Sequence, residues 1–249
     1  MLFRSRKVSF RYPDAAEDCL KNISFRAAPG ETVAFIGATG SGKTTLLNLA
    51  ARLYDVTSGE VLVDGVNVKN YAFGSLYDRL GFVPQRAVMF SGTVQENVAF
   101  GASGRTVLSE NVDAAADIAQ ASEFVEEMAE KYDTDVAQGG TNLSGGQKQR
   151  LSIARAIARK PEILILDDAF SALDFRTDRE LRKRIDTDLK GTTCLIVSQR
   201  IGTIRHANRI VVLDGGEAVG IGTHEELMKT CSVYREIALS QLSASELDA

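Results

Sequence analysis

The sequence is poor in residues that bind metals or carry redox chemistry. It has three cysteines, Cys19, Cys194 and Cys231, and two histidines, His206 and His224. The cysteines are far apart, odd in number and without CxxC spacing, which speaks against a zinc site, a redox dithiol or a disulfide framework. They are expected to be reduced packing residues, as in a cytosolic protein. No apolar run reaches the ~18–20 residues that would cross a bilayer. Residues 1–7 lack the apolar core of a signal peptide. Positive charge is not in excess: 29 Lys and Arg stand against 33 Asp and Glu, a net charge of −4. That argues against a surface for nucleic acid or anionic membrane. Repeats and low-complexity tracts are also missing.

What is present fits a globular α/β chain. Hydrophobic residues make up 44% and charged residues 25% of the 249 positions. A chain of this size buries roughly 70–75% of its unfolded surface, enough for one large domain or a domain with a subdomain inserted. The beginning reads as β-structure. Val8 to Tyr12 and Ile23 to Ala27 alternate with period two, Ala28-Pro29-Gly30-Glu31 is a turn, and Glu31 to Ile36 is a strand. A helix is expected from Lys43 to about Tyr54, then a short strand at 60–65 ending in a hairpin turn. Residues 108–131, rich in Ala and Glu, read as helix. A second helix runs from about Gly145 to Arg159, with Leu151, Ala154, Ile157 and Ala158 on one face. The apolar runs at 163–166, 193–197 and 209–213 suit buried parallel strands. Thr223-His224-Glu225-Glu226 is a capping box that opens a further helix. A helical subdomain is expected at 86–160, and loose chain at 243–249.

One loop carries chemistry. Gly37-Ala38-Thr39-Gly40-Ser41-Gly42-Lys43-Thr44 has the full spacing of a P-loop, with a strand before it and a helix after. Its glycines let backbone N–H groups point at phosphate oxygens, and the helix N-terminus adds its positive end. Lys43 supplies a charge for the β- and γ-phosphates, and Thr44 a hydroxyl for Mg²⁺. A second metal ligand is needed from a neighbouring strand. Asp167 provides one, at the C-terminal end of Ile163-Leu164-Ile165-Leu166, where open α/β sheets bind ligands.

Leu143-Ser144-Gly145-Gly146-Gln147 precedes Asp167 and opens a helix. It resembles the signature of the ATP-binding cassette (ABC) ATPases. Tyr12 resembles the aromatic residue that stacks on adenine, Gln85 the Q-loop glutamine, and Ser171-Ala172-Leu173-Asp174 the D-loop. The resemblance runs from about Val8 to Ile237. The stretches 90–98 and 134–140 are similar to those of exporters. The resemblance implies an α/β P-loop NTPase (RecA-like) core with a mostly parallel sheet, an N-terminal antiparallel β subdomain and an inserted helical subdomain. Residues 1–249 then form a single nucleotide-binding domain, with 1–85 and 161–249 as core and β subdomain. It also implies ATP and Mg²⁺ as ligands. Tyr12, residues 37–44, Thr45, Gln85, Ser144, Gly145, Gly146, Gln147 and Asp174 would contact nucleotide, and Thr44, Gln85 and Asp167 the metal. The implied partners are a second such domain, packed head to tail so that each ATP lies between one P-loop and the other's signature, and the transmembrane domains of an exporter. No nucleic acid is implied. Exporters usually carry this domain behind about six transmembrane helices. The chain is therefore expected to be an excised or separately encoded domain at the cytoplasmic face of the membrane.

Two positions depart from the family pattern. The family usually has Glu after the metal-binding Asp, to polarise the attacking water. This chain has Asp168, one methylene shorter. The family usually has His some thirty residues on, and here Gln199 stands in that place. Glutamine can donate to a phosphate oxygen but carries no charge or transferable proton at neutral pH. With every binding motif intact, the pattern resembles the degenerate half of a heterodimeric exporter. A fully active homodimeric exporter ATPase is the alternative.

Overall fold

The structure is a computed structural model, and it describes residues 1–101 and 107–241. The chain opens with strands β1 (Phe3–Phe10), β2 (Leu20–Ala27) and β3 (Thr32–Ile36), followed by helix α1 (Lys43–Ala50), β4 (Ser58–Val63), β5 (Val66–Asn67) and α2 (Phe73–Tyr77). The middle holds β6 (Leu80–Val83), β7 (Gly92–Thr93), α3 (Val94–Ala99), α4 (Ser109–Ile118), α5 (Ser122–Glu126), β8 (Asp135–Val136), α6 (Gly145–Ala158), β9 (Ile163–Asp167) and α7 (Phe175–Asp188). The last stretch holds β10 (Thr193–Val197), α8 (Ile201–Ile204), β11 (Arg209–Asp214), β12 (Glu217–Gly222), α9 (His224–Thr230) and α10 (Ser232–Gln241). Two compact units result: Met1–Leu76 with Gly191–Ala249, and Tyr77–Lys190.

The first unit contains two sheets. An antiparallel sheet has the order β2-β1-β4-β5. Its β4–β5 hairpin turns on Asp64 and Gly65, both at positive φ, as a type I′ turn requires. In the other sheet β3, β10 and β11 are parallel, and β12 returns antiparallel along β11. These strands are the apolar runs of the sequence, and β10 is buried at every residue. Helices α8, α9 and α10 cover one face. Ile201, Ile204, Leu227, Cys231 and Tyr234 pack there against Ala34, Ile36, Ile210 and Val212. Thr223 caps α9 in the expected box with Glu226.

The second unit pairs β6 with β9 in parallel and packs α3 and α4 against α6. Leu151, Ala154, Ile157 and Ala158 of α6 are buried, as their spacing predicts. In α7 the buried residues are Asp178, Leu181 and Ile185, and Arg182 pairs with Asp178 one turn back at 2.8 Å. Among the described residues no helix is long and apolar enough to cross a membrane.

Two helices are shorter than their composition predicts. The first stops at Ala50, not near Tyr54, because Arg52 takes a left-handed conformation (φ 54) and the Leu53 N–H turns back to the Asn48 carbonyl at 2.8 Å. The expected helix at 108–131 is broken at Gln120 (φ 57), where the Ala121 N–H reaches the Ala116 carbonyl at 2.7 Å. Both stops resemble glycine-type helix ends, yet neither uses glycine, so composition did not mark them. The segment 243–249, expected to be loose, lies outside the described residues.

Candidate functional site

In the first unit the 37–44 loop joins β3 to α1. Gly37 passes so close to β11 that a Cβ would meet the Leu213 carbonyl oxygen at 2.0 Å. Gly42 is the N-cap of α1 at φ 98, with no side-chain cap hydrogen bond. A Cβ there would also strike Leu20. As N-cap, Gly42 has no side chain with which to cap the first turn of α1, and a helix N-terminus is an anion-binding end. Lys43 is buried, 7% exposed. Its Nζ donates to the carbonyls of Gly37 and Ala38, each at 2.8 Å, and to Ser41 Oγ at 3.3 Å. The loop therefore bends around its own ammonium, which fixes a point charge inside an arc of backbone. Such an arc suits an anion with several oxygens, so the residues present fit a triphosphate.

Tyr12 stands beside the same helix. Its hydroxyl and Thr45 Oγ1 share a hydrogen bond of 2.9 Å, and its ring meets Phe10 and Tyr54 edge-on. Cys19 donates weakly to Thr45 Oγ1 at 3.5 Å. Cys194 and Cys231 are buried, whereas Cys19 is half-buried, and all three are free thiols. Gln199 is exposed and follows β10. Its carbonyl accepts from Gln241 Nε2 at 2.8 Å, and Gln241 Oε1 accepts from the Ile201 N–H at 2.9 Å. One side chain of α10 thus clamps the 199–201 turn.

In the second unit Asp167 ends β9 and Asp168 follows, both buried. Asp168 has φ 49, a left-handed conformation that Asp tolerates better than most residues. Its carbonyl accepts from Ser171 Oγ at 2.8 Å. Asp174 caps α7. It accepts from the Thr177 N–H at 2.9 Å and the Thr177 hydroxyl at 2.7 Å. The bond from the Thr177 backbone is the main cause that holds its carboxyl below the ordinary range. Ser144 caps α6 in a reciprocal box with Gln147: Ser144 N–H to Gln147 Oε1 at 2.9 Å, and Gln147 N–H to Ser144 Oγ at 3.2 Å. The Gln147 amide is thereby engaged within its own helix. Gly145 and Gly146 have no positive φ. A Cβ on Gly145 would meet nothing within 4 Å, and one on Gly146 would make ordinary contact. Among the described residues, nothing requires glycine at either place. Gln85 is exposed just after β6.

Sequence reasoning missed Arg155 and Asn97. Asn97 accepts from the Phe90 N–H and donates to the Phe90 and Thr93 carbonyls, all within 3.0 Å. Arg155 donates to the Asn97 carbonyl at 2.7 Å and the Val88 carbonyl at 2.8 Å. Burial pushes its pKa down to about 10. Together they hold the segment around 88–93, where Val88 and Phe90 are exposed. The β7–β8 pairing brings 92–93 beside 135–136. The only signal in sequence was a polar residue at a helix position otherwise apolar.

A model of the ABC transporter family matches residues 20–171. The chain is 46% identical over 239 residues to an uncharacterized ABC transporter ATP-binding protein of Mycobacterium tuberculosis (strain ATCC 25618 / H37Rv), covering 95% of this chain and 41% of that protein. It is 46% identical over 230 residues to a candidate multidrug export ATP-binding/permease protein of Staphylococcus aureus (strain NCTC 8325 / PS 47), covering 92% of this chain and 39% of that protein. A solved structure of a bacterial Atm1-family ABC exporter with ATP bound superposes with a TM-score of 0.92 at 35% identity, covering 97% of this chain and 42% of that one. The chain spans about two fifths of the length of these relatives.

Proposed function

The chain belongs to the ABC transporter family as an ATP-binding domain of exporter type, and from that premise we propose that it binds Mg²⁺-ATP in a head-to-tail pair of such domains and couples it to export, with slow hydrolysis at its own loop. The observation that carries this reading is a contrast. The 37–44 loop and the α6 cap are shaped for anions, while the hydrolytic positions hold Asp168 and Gln199. Gly145 and Gly146 add support. Two helical glycines cost about 1 kcal/mol each relative to alanine, and close approach of a partner's phosphate is a reason to keep them.

In this reading residues 37–45 and Tyr12 hold the nucleotide. Ser144, Gly145, Gly146 and Gln147, with Asp174, serve the partner's ATP. Thr44, Asp167 and Gln85 are the residues that would hold Mg²⁺, which would neutralise charge on the phosphates. Asp168 orients water with a carboxylate displaced by roughly 1 Å, and Gln199 donates to phosphate without carrying a proton. A non-identical partner would supply the second, more active site. The transmembrane domains would dock near 86–90 and 134–140, a reading supported by the exposed Val88 and Phe90 and by the β7–β8 pairing. In this reading the chain sits at the cytoplasmic face of the membrane.

The test is Mg²⁺-ATP hydrolysis by the chain against Asp168→Glu/Gln199→His. The double variant should turn over about 10²-fold faster, the scale of a displaced catalytic group. No gain in a double variant that still binds ATP would sink the slow-site reading. Brisk turnover of the unmodified chain would favour the fully active homodimer.

A further inference from the structure

On the antiparallel β1–β2 pair, Arg4 stands directly opposite Arg26. Their neighbours Phe3, Ser5, Phe25 and Ala27 are buried, so the two arginines share the outer face, and both are exposed. Like charges directly opposite one another destabilise a sheet. The next residues intensify the charge. The β1 register slips between Ser5 and Val8, with Lys7 at φ 46, and this bulge leaves Arg6 and Lys7 both exposed. The bulge is built in. The Lys7 N–H donates to Ser24 Oγ at 2.8 Å, and β4 comes so near that a Cβ on Gly59 would meet the Lys7 carbonyl oxygen at 2.2 Å. Bulges of this kind re-aim side chains.

These residues line a cavity of about 820 Å³ within the first unit, and Arg209, the first residue of β11, lines it too. Among the described residues, Glu60 is the one carboxylate that lines it, and it is taken by Arg6 at 2.9 Å. Among those residues Arg4, Lys7, Arg26 and Arg209 have no carboxylate partner, in a chain whose net charge is −4. Ser5, Ser24 and Asn67 add polar lining; of the apolar lining, Ile221 is exposed, whereas Phe25, Val33 and Val211 are buried beneath it. Val33 and Arg209 lie near the N-terminal ends of β3 and β11, and the 37–44 loop follows the opposite end of β3. The cavity is therefore separate from the nucleotide loop.

We propose that this cavity is a second binding site, for an anionic amphiphile with a phosphate or carboxylate head and an apolar body. The guanidinium forks of Arg4 and Arg26 match such a head in bidentate geometry. The head relieves the repulsion between them, and the apolar body lies on the exposed Ile221. Its volume falls in the range of small-ligand sites, about 300–1,000 Å³.

The test is calorimetric titration of the chain with octyl phosphate, with saturating ATP present. One-to-one binding is expected in wild type, with no detectable binding of octanol. Arg4→Gln/Arg26→Gln should weaken it at least tenfold, and Arg209→Gln, on another strand, should weaken it as well. Unchanged ATP binding by the variants shows that the fold is kept. Two arms separate the sources of such a ligand. Phosphatidic acid vesicles binding more tightly than free octyl phosphate would identify a bilayer headgroup, and the reverse a free metabolite. Absence of saturable binding in wild type, or equal binding by the double variant, would overturn the site.

Discussion

Asp168 combines a strained backbone with a buried carboxylate, and its two features can be separated. At φ 49 a non-glycine residue costs roughly 1–2 kcal/mol, with Asn and Asp least penalised. Asp168→Asn keeps the short side chain that tolerates this conformation and removes the carboxylate. Residual hydrolysis should fall by about 10²-fold or more, with a melting midpoint close to wild type. A large fall in the midpoint would mean that the carboxylate is a structural partner, and the hydrolytic reading of Asp168 would fail. Residues of this kind were legible because chain order alone exposes them: Lys43 and Asp167 sit at fixed places in motifs. Arg155 and Asn97 were not, since their role depends on the Phe90 and Val88 backbone folding back onto α6, a contact 58 to 67 positions away in sequence.

Helix α6 sets stability against function at its first turn. Gly145 and Gly146 are helical without steric need, so Gly145→Ala should raise unfolding stability by about 1 kcal/mol, measured by denaturant titration. On the proposed reading it should at the same time weaken ATP-dependent pairing, measured by sedimentation. Stabilisation with pairing intact would leave the glycines unexplained by a partner. The elements themselves were largely readable. β10 coincides with its apolar run, and the Thr223 cap of α9 follows its motif. The errors fell at helix ends, where Arg52 and Gln120 adopt the left-handed conformation that glycine usually marks. A non-glycine stop leaves no compositional trace.

At the scale of the whole molecule, a pH-sensitive packing contact lies where α9 meets α10. His224 Nδ1 and the Tyr234 hydroxyl are 2.7 Å apart. Burial, the largest cause, followed by the Arg205 charge, depresses the His224 pKa below its ordinary 6.5. The unfolded chain then takes up the proton first. Stability is full above about pH 6.5 and declines as pH falls from there through the lower folded value. Thermal melts from pH 7.5 to 5 should show this decline, and His224→Gln should flatten it. An unchanged slope in the variant would assign the decline to other groups. At this scale the sequence disclosed an α/β chain with a phosphate loop. It did not disclose the cationic cavity, because net charge averages over a surface that the β1 bulge makes uneven.

Arg155 gives α6 a mechanical meaning. The helix begins at the Ser144 cap and grips the Val88 and Asn97 carbonyls eleven residues later, roughly 16 Å along its axis at 1.5 Å per residue. Packed against α3 and α4, it ties that exposed segment to the turn of glycines at its other end. On the proposed reading, a push on Val88 and Phe90 would reach those glycines as a tilt of the helix.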